Sequence, residues 1–250
     1  RTCVYDMRDG TTGAGIVSGK YVSGALFYRH QWMCANFAGA MGSAEELAHT
    51  MSRTSDQAAV YQIWDNTGTQ IYGRFIDGGA FDDHEWKVAQ DGNPATDCCP
   101  ELVVMKRRPS DHTHAFQMWD GNANTLRGSA FVNGPAVTVT DWCTAEANGV
   151  PGDGEEITVV YARDSDGAVG FTTFNKSGGA ALSGQFIAGT GWIGPQVFPL
   201  WHSGTAHATM GFLLQNASGG APQLLNWHIL DPAPPFQIWE IGRASCRERV

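Results

Sequence analysis

Apolar residues in this chain come in short runs separated by Gly, Asp, Asn or Pro. Residues 60–65, 71–76 and 102–106 alternate or run apolar over their whole length. The rhythm returns at 115–119, 130–132, 137–143 and 157–162. Short runs of this kind, bounded by turn residues, predict β-strands, about four to each stretch of roughly 55 residues. Asp120-Gly121, Asp166-Gly167, Ser177-Gly178 and Gly219-Gly220 supply tight-turn chemistry, because Gly tolerates positive φ. One stretch predicts a helix instead. It runs from Ser43 to Met51 through Glu45, Glu46, Leu47 and Ala48, enough for one or two turns.

The runs belong to a repeat. Val4-Tyr5-Asp6-Met7 lays over Val60-Tyr61-Gln62-Ile63-Trp64, Ala115-Phe116-Gln117-Met118-Trp119 and Val169-Gly170-Phe171-Thr172-Thr173-Phe174. A second landmark follows in each copy, between Gly19 and Gly24, Gly73 and Gly78, Gly128 and Gly134, and Gly184 and Gly189. A third is a tryptophan in an apolar run: Trp32, Trp86, Trp142 and Trp201. The units read as 4–59, 60–114, 115–169 and 170–235, with a fifth opening at 236 in Pro235-Phe236-Gln237-Ile238-Trp239. Together they make one domain over 1–240.

In repeat length and strand count the chain resembles the β-propeller superfamily. That resemblance implies an all-β fold of four-stranded blades, each hiding its faces against its neighbours. The unclosed fifth unit leads us to expect an arc of a larger ring. A tandem of β-sandwiches and a β-solenoid are the other architectures, the solenoid being disfavoured by the length of the unit. Residues 241–250 change composition abruptly and resemble the in-frame translation of a sequencing adapter, so they are set aside as a non-native tail.

Charge narrows the partners. The formal net charge is −9, whereas nucleic acid calls for a basic face, so none is expected as a partner. Lys106-Arg107-Arg108 is the one basic cluster and reads as a solvated turn. No apolar run reaches the roughly 18 residues of a membrane-crossing helix, so no membrane span is predicted. The six cysteines show no zinc-ligand spacing. The adjacent Cys98 and Cys99 favour disulfides, and with them a secreted, extracellular protein.

Four groups could carry chemistry. The first is an aromatic residue beside an acid or amide at a recurring turn: Trp64 with Asp65, Trp119 with Asp120 and Asn122, and Phe174 with Asn175. A flat apolar face beside hydroxyl-binding groups suits a sugar ring. The bland alternative is packing between blades plus ordinary turn chemistry. The second group precedes the repeated tryptophan and comprises His30, His84 and Asp141, with Gln31, Glu85 and Thr140. On inner strands these residues would converge on the ring axis and could bind a metal; on outer strands they would be exposed and far apart. The third is His112-Thr113-His114 with Asp111 and His207, and the fourth Asp164-Ser165-Asp166-Gly167, both reading more readily as turns. No nucleophile elbow, phosphate loop or dinucleotide fingerprint is present, and the cofactor stays unassigned.

The expectation is therefore an extracellular binding protein with a glycan or other small ligand, lectin-like, with one site per repeat. The competing classes are an enzyme with one axial site, with or without a metal, using His30, His84 and Asp141, and a structural or adhesive protein.

Overall fold

The computed structural model describes residues 3–8, 11–23, 26–37, 45–76, 81–89, 100–120, 124–132, 137–148, 150, 154–175, 181–187, 191–201, 208–219, 222–227 and 237–240. All the regular structure in them is β. β1 (Cys3–Arg8) and β2 (Gly15–Ser23) form a two-stranded sheet. Four antiparallel four-stranded meanders follow. The first sheet holds β3 (Phe27–Ala35), β4 (Glu46–Arg53), β5 (Ala59–Trp64) and β6 (Gln70–Ile76). The second holds β7 (Asp82–Ala89), β8 (Glu101–Arg107), β9 (His114–Asp120) and β10 (Leu126–Phe131). The third holds β11 (Val137–Ala145), β12 (Glu156–Arg163), β13 (Val169–Phe174) and β14 (Ala181–Phe186). The fourth holds β15 (Trp192–Trp201), β16 (Ala208–Asn216), β17 (Gln223–Trp227) and β18 (Gln237–Glu240).

The sheets are phased differently from the sequence repeat. Each begins at the strand of the tryptophan landmark, so the first landmark lies on the third strand. Residues 237–240 pair with β17 as the last strand of the fourth sheet. The register also corrects one landmark. Trp32, Trp86 and Trp142 pair with His49, Val104 and Val159, and the residue at this place in the fourth sheet is Val197, paired with Phe212. Trp201 sits four residues further on, at the end of β15. The predicted helix at 43–51 is overturned where it is described, because β4 covers Glu46–Arg53. Its helix-favouring Glu and Ala lose to burial: β4 is sandwiched between β3 and β5 and is buried along nearly its whole length.

Apolar side chains gather between successive sheets. Tyr61 and Ile63 of the first sheet meet Trp86, Leu102 and Trp119 of the second. Phe116 and Met118 meet Trp142, Val159 and Phe174 of the third. Phe171 and Val160 meet Val197, Phe212 and Leu225 of the fourth. Tyr5 of β1 closes the first sheet's other face on Trp32 and Trp64, with ring centroids 5.4 and 6.1 Å away. Each fully buried Phe or Leu contributes roughly 1.5–3 kcal/mol, so stability is built interface by interface. The sheets also touch through their first strands: β3 lies against β7, β7 against β11, and β11 against β15. Among the described residues, no strand of the fourth sheet pairs with an earlier sheet.

Candidate functional site

The four first strands share an irregularity. β3 shifts register between Tyr28 and Gln31, β7 between Asp82 and Glu85, β11 between Val139 and Asp141, and β15 between Ile193 and Gln196. Three of these bulges hold a left-handed residue: Arg29 (φ 54°), Asp83 (φ 57°) and Gly194 (φ 52°). Gly accepts that conformation freely, whereas Arg and Asp adopt it at a cost of roughly 1–2 kcal/mol each. Bulges of this kind re-aim side chains, and strain of this kind gathers at functional sites.

Here the bulges of three sheets open on one cavity of about 470 Å³. Arg29, His30 and Gln31 line it from the first sheet, Asp83, His84 and Glu85 from the second, and Val139, Thr140 and Asp141 from the third. Met105 and His114 complete the wall. The strained Arg29 and Asp83 form an ion pair across two sheets at 2.5 Å. Exposed as both side chains are, that pair adds little stability by itself.

Both bulge imidazoles are oriented from β4. His30 Nδ1 lies 2.9 Å from His49 Nε2, and His84 Nδ1 lies 2.9 Å from Ser52 Oγ. His49 is fully buried and stacks on Trp32, with centroids 4.0 Å apart. Burial, then the facing His30, lowers its pKa to about 4, against a smaller opposing effect from Gln62. Burial also lowers the pKa of His30. Both shifts favour the neutral imidazoles, and a doubly protonated pair would set two N–H groups against each other. His114 is buried at the cavity wall, its pKa lowered first by burial and then by Arg107. Its Nδ1 has no hydrogen-bond partner among the described residues.

The residues before Trp32, Trp86 and Trp142 are cross-sheet acceptors. Gln31 Oε1 accepts the Trp86 backbone N–H at 3.0 Å, and Glu85 Oε2 accepts the Trp142 indole N–H at 2.9 Å. Asp141 Oδ2 accepts the Val197 N–H at 2.9 Å, while its Oδ1 accepts the Trp142 N–H at 2.8 Å. Lys87 lies 3.4 Å from Glu85 and 3.6 Å from Asp141 and tempers their charge. The cavity floor is thus fastened to the sheet packing.

The structure therefore brings His30, His84 and Asp141 into one cavity, as the inner-strand alternative requires. It does not make them a metal site. Both Asp141 oxygens face backbone N–H groups, and no three His, Cys, Asp or Glu among the described residues are grouped to hold an ion. The recurring aromatic turns are corrected more fully. Trp64, Trp119 and Phe174 are only 7%, 6% and 5% exposed, held in the inter-sheet cores, and offer no open ring face. Asp65 spends Oδ1 on the Thr67 and Thr69 N–H groups and the Thr67 hydroxyl. Asp120 pairs with Arg127. Asn175 is half-buried at the end of β13, and Asn122 lies outside the described residues.

His112 occupies an exposed turn at φ 60° while His114 points inward, so the two do not act as a pair. His207 lies outside the described residues. Asp164-Ser165-Asp166-Gly167 is a hairpin turn with Asp166 held by Arg163. Lys106, expected in a solvated turn, is 2% exposed and lies over Phe81, and Arg107 and Arg108 pair with Asp82 and Asp111. Cys34 and Cys143 are free thiols, and burial pushes Cys143 up to about 12. Cys98, Cys99 and Cys246 lie outside the described residues. No described helix is long and apolar enough to cross a membrane.

Sequence reading missed Arg29, Asp83, Met105 and Val139, and it placed His114 in a turn rather than in this cavity. Arg29 and Asp83 adjoin the histidines that it found, and the signal was their matching place in the repeat. His114 reaches the cavity only through sheet packing.

No protein-family model and no curated protein sequence matches the chain. Among solved structures, the Bacillus licheniformis rhamnogalacturonan lyase PL11 superposes with a TM-score of 0.46 at 8% identity. The match covers 90% of this chain and 55% of that one, so this chain spans about half the length of that protein.

Proposed function

We propose that the chain is an arc of a β-propeller, extracellular in setting, whose bulge cavity binds a small hydroxylated ligand, with glycans the leading class. The observation that carries this reading is the convergence of three equivalent bulges on one cavity, two of them held in a strained conformation. The lining suits hydroxyl groups. Carboxylates accept hydrogen bonds, the Arg29 guanidinium donates them, and a neutral imidazole does either. The cavity volume falls in the range of small-molecule sites. A single site shared by three sheets replaces the one-per-turn arrangement expected from the buried aromatic residues.

A specific observation also favours an enzyme. His30 lies beside acids on neighbouring bulges, and burial lowers its pKa towards the neutral imidazole, the state a general base requires.

Titration calorimetry with a panel of neutral and acidic oligosaccharides tests the binding reading. Asp83→Asn and His84→Ala should each weaken the bound member by about tenfold or more, equivalent to roughly 1.4 kcal/mol. Equal affinity in the parent and both variants would place the ligand elsewhere. Chromatography of the same mixtures after incubation tests for turnover.

A further inference from the structure

A second recurring feature lies at the other edge of the sheets, away from the bulges. β10 and β14, the fourth strands of the second and third sheets, each present an exposed phenylalanine: Phe131 at 57% and Phe186 at 47%. An arginine from the neighbouring hairpin covers one face of each ring. Arg108 stands 5.2 Å from the Phe131 centroid, and Arg163 stands 4.7 Å from that of Phe186. Asp111 and Asp166 fix those guanidiniums through two hydrogen bonds each. Such rings are fixed in orientation while much of each residue stays exposed, and Tyr161 also meets Phe186 in a T-shaped contact at 5.9 Å.

Beside each ring is a cavity, about 260 Å³ next to Phe131 and about 430 Å³ next to Phe186. The strand registers show that these are the same place in two repeats. Lys106 corresponds to Tyr161, Gln117 to Thr172, Ser129 to Gly184, and Phe131 to Phe186. Ala115 stands where the third sheet has Gly170, and the Tyr161 ring lies over that glycine, where a Cβ would come within 2.5 Å of it. Each cavity also holds a buried polar atom with no hydrogen-bond partner among the described residues, at positions that do not correspond: Gln117 Oε1 in one, and in the other Ser183 Oγ, which matches Gly128. A buried acceptor without a donor is costly unless something supplies one. In the first sheet the corresponding Phe75 is met by Phe27 at 6.4 Å, and Val60 takes the place of the small residue.

We infer that the Phe131 and Phe186 cavities are two related niches for a pyranose ring. The exposed aromatic surface meets the ring's C–H side, and ring hydroxyls donate to Gln117 Oε1 and Ser183 Oγ. The combination selects the ligand: a purely apolar molecule leaves the buried acceptors unpaired, and a small ion makes no use of the ring face. Two such niches on one chain make it bivalent towards a polysaccharide, which raises avidity without further contacts. The inference stands independently of the bulge cavity.

The test is titration of methyl hexopyranosides into the full chain carrying His84→Ala, which disables the bulge cavity and leaves the niches intact. Two weak sites are expected. Phe131→Ala and Phe186→Ala should each remove one, and the double variant both. Retention on an immobilised polysaccharide should fall by about a hundredfold in the double variant. Phe131→Tyr should restore its site. Phe131→Leu and Phe186→Leu keep the apolar bulk and lose the flat face, so they should behave as the alanine variants do with unchanged melting temperature. Unaltered stoichiometry in the double variant, or no pyranoside bound by folded protein, would overturn the inference.

Discussion

Asp141 shows how one side chain can serve packing and site together. It lines the cavity and accepts N–H groups from its own strand and the next sheet. Asp141→Ala strands two buried donors and should lower the unfolding free energy by about 2–4 kcal/mol in urea titration. Asp141→Asn, which keeps one acceptor, should cost less. His49 makes the fold sensitive to acid. Its folded pKa of about 4 lies below that of a free imidazole, so the unfolded chain binds more protons between about 6.5 and 4. Stability should be full above about pH 6.5 and fall as pH drops through that window. His49→Gln should flatten the fall in denaturation series at fixed pH values. Asp56 and Asp166, both held near 2 by their arginines, lose their contribution only below their ordinary carboxyl range. The two acid transitions are therefore separable. His30, His84 and Asp141 could be picked out in the sequence because they precede a repeated tryptophan. Their convergence could not, because nothing in the pattern says which strand of a sheet lies innermost.

The hairpins joining second and third strands form a motif that strand periodicity alone passes over. Arg53-Thr54-Ser55-Asp56, Arg108-Pro109-Ser110-Asp111 and Arg163-Asp164-Ser165-Asp166 recur in the first three sheets, each with a bidentate Arg–Asp pair. The next residue is left-handed in all three: Gln57 at 60°, His112 at 60° and Gly167 at 66°. Only the third sheet uses glycine there. His112→Gly should therefore stabilise the protein by about 0.5–1 kcal/mol, read as a higher melting temperature. The misread of β4 belongs to this scale too. A strand buried on both faces loses the alternation that marks half-buried strands, and its local composition then favours helix.

At the scale of the molecule, each core is shared by two neighbouring sheets, so damage should spread only locally. Phe212 is buried between the third and fourth sheets, its ring 4.7 Å from Phe171. Phe212→Ala should cost about 3–5 kcal/mol. Hydrogen exchange should then show β16 losing protection while β8 keeps it. Equal loss in both would mean that the sheets unfold as a single unit.

The sequence by itself determined the strand-rich repeat, its spacing and the residues that recur within it, because hydrophobic period and turn chemistry are local properties. It also marked Trp86 and Trp142 as a recurring landmark and the positions before them as polar. Tertiary structure decided the rest. It set where each sheet begins and placed Val197 where Trp201 was expected. It buried Trp64, Trp119 and Phe174, and it turned three bulges onto one cavity. These outcomes depend on which faces of neighbouring sheets meet, and a strand's own residues carry its alternation but not its neighbour.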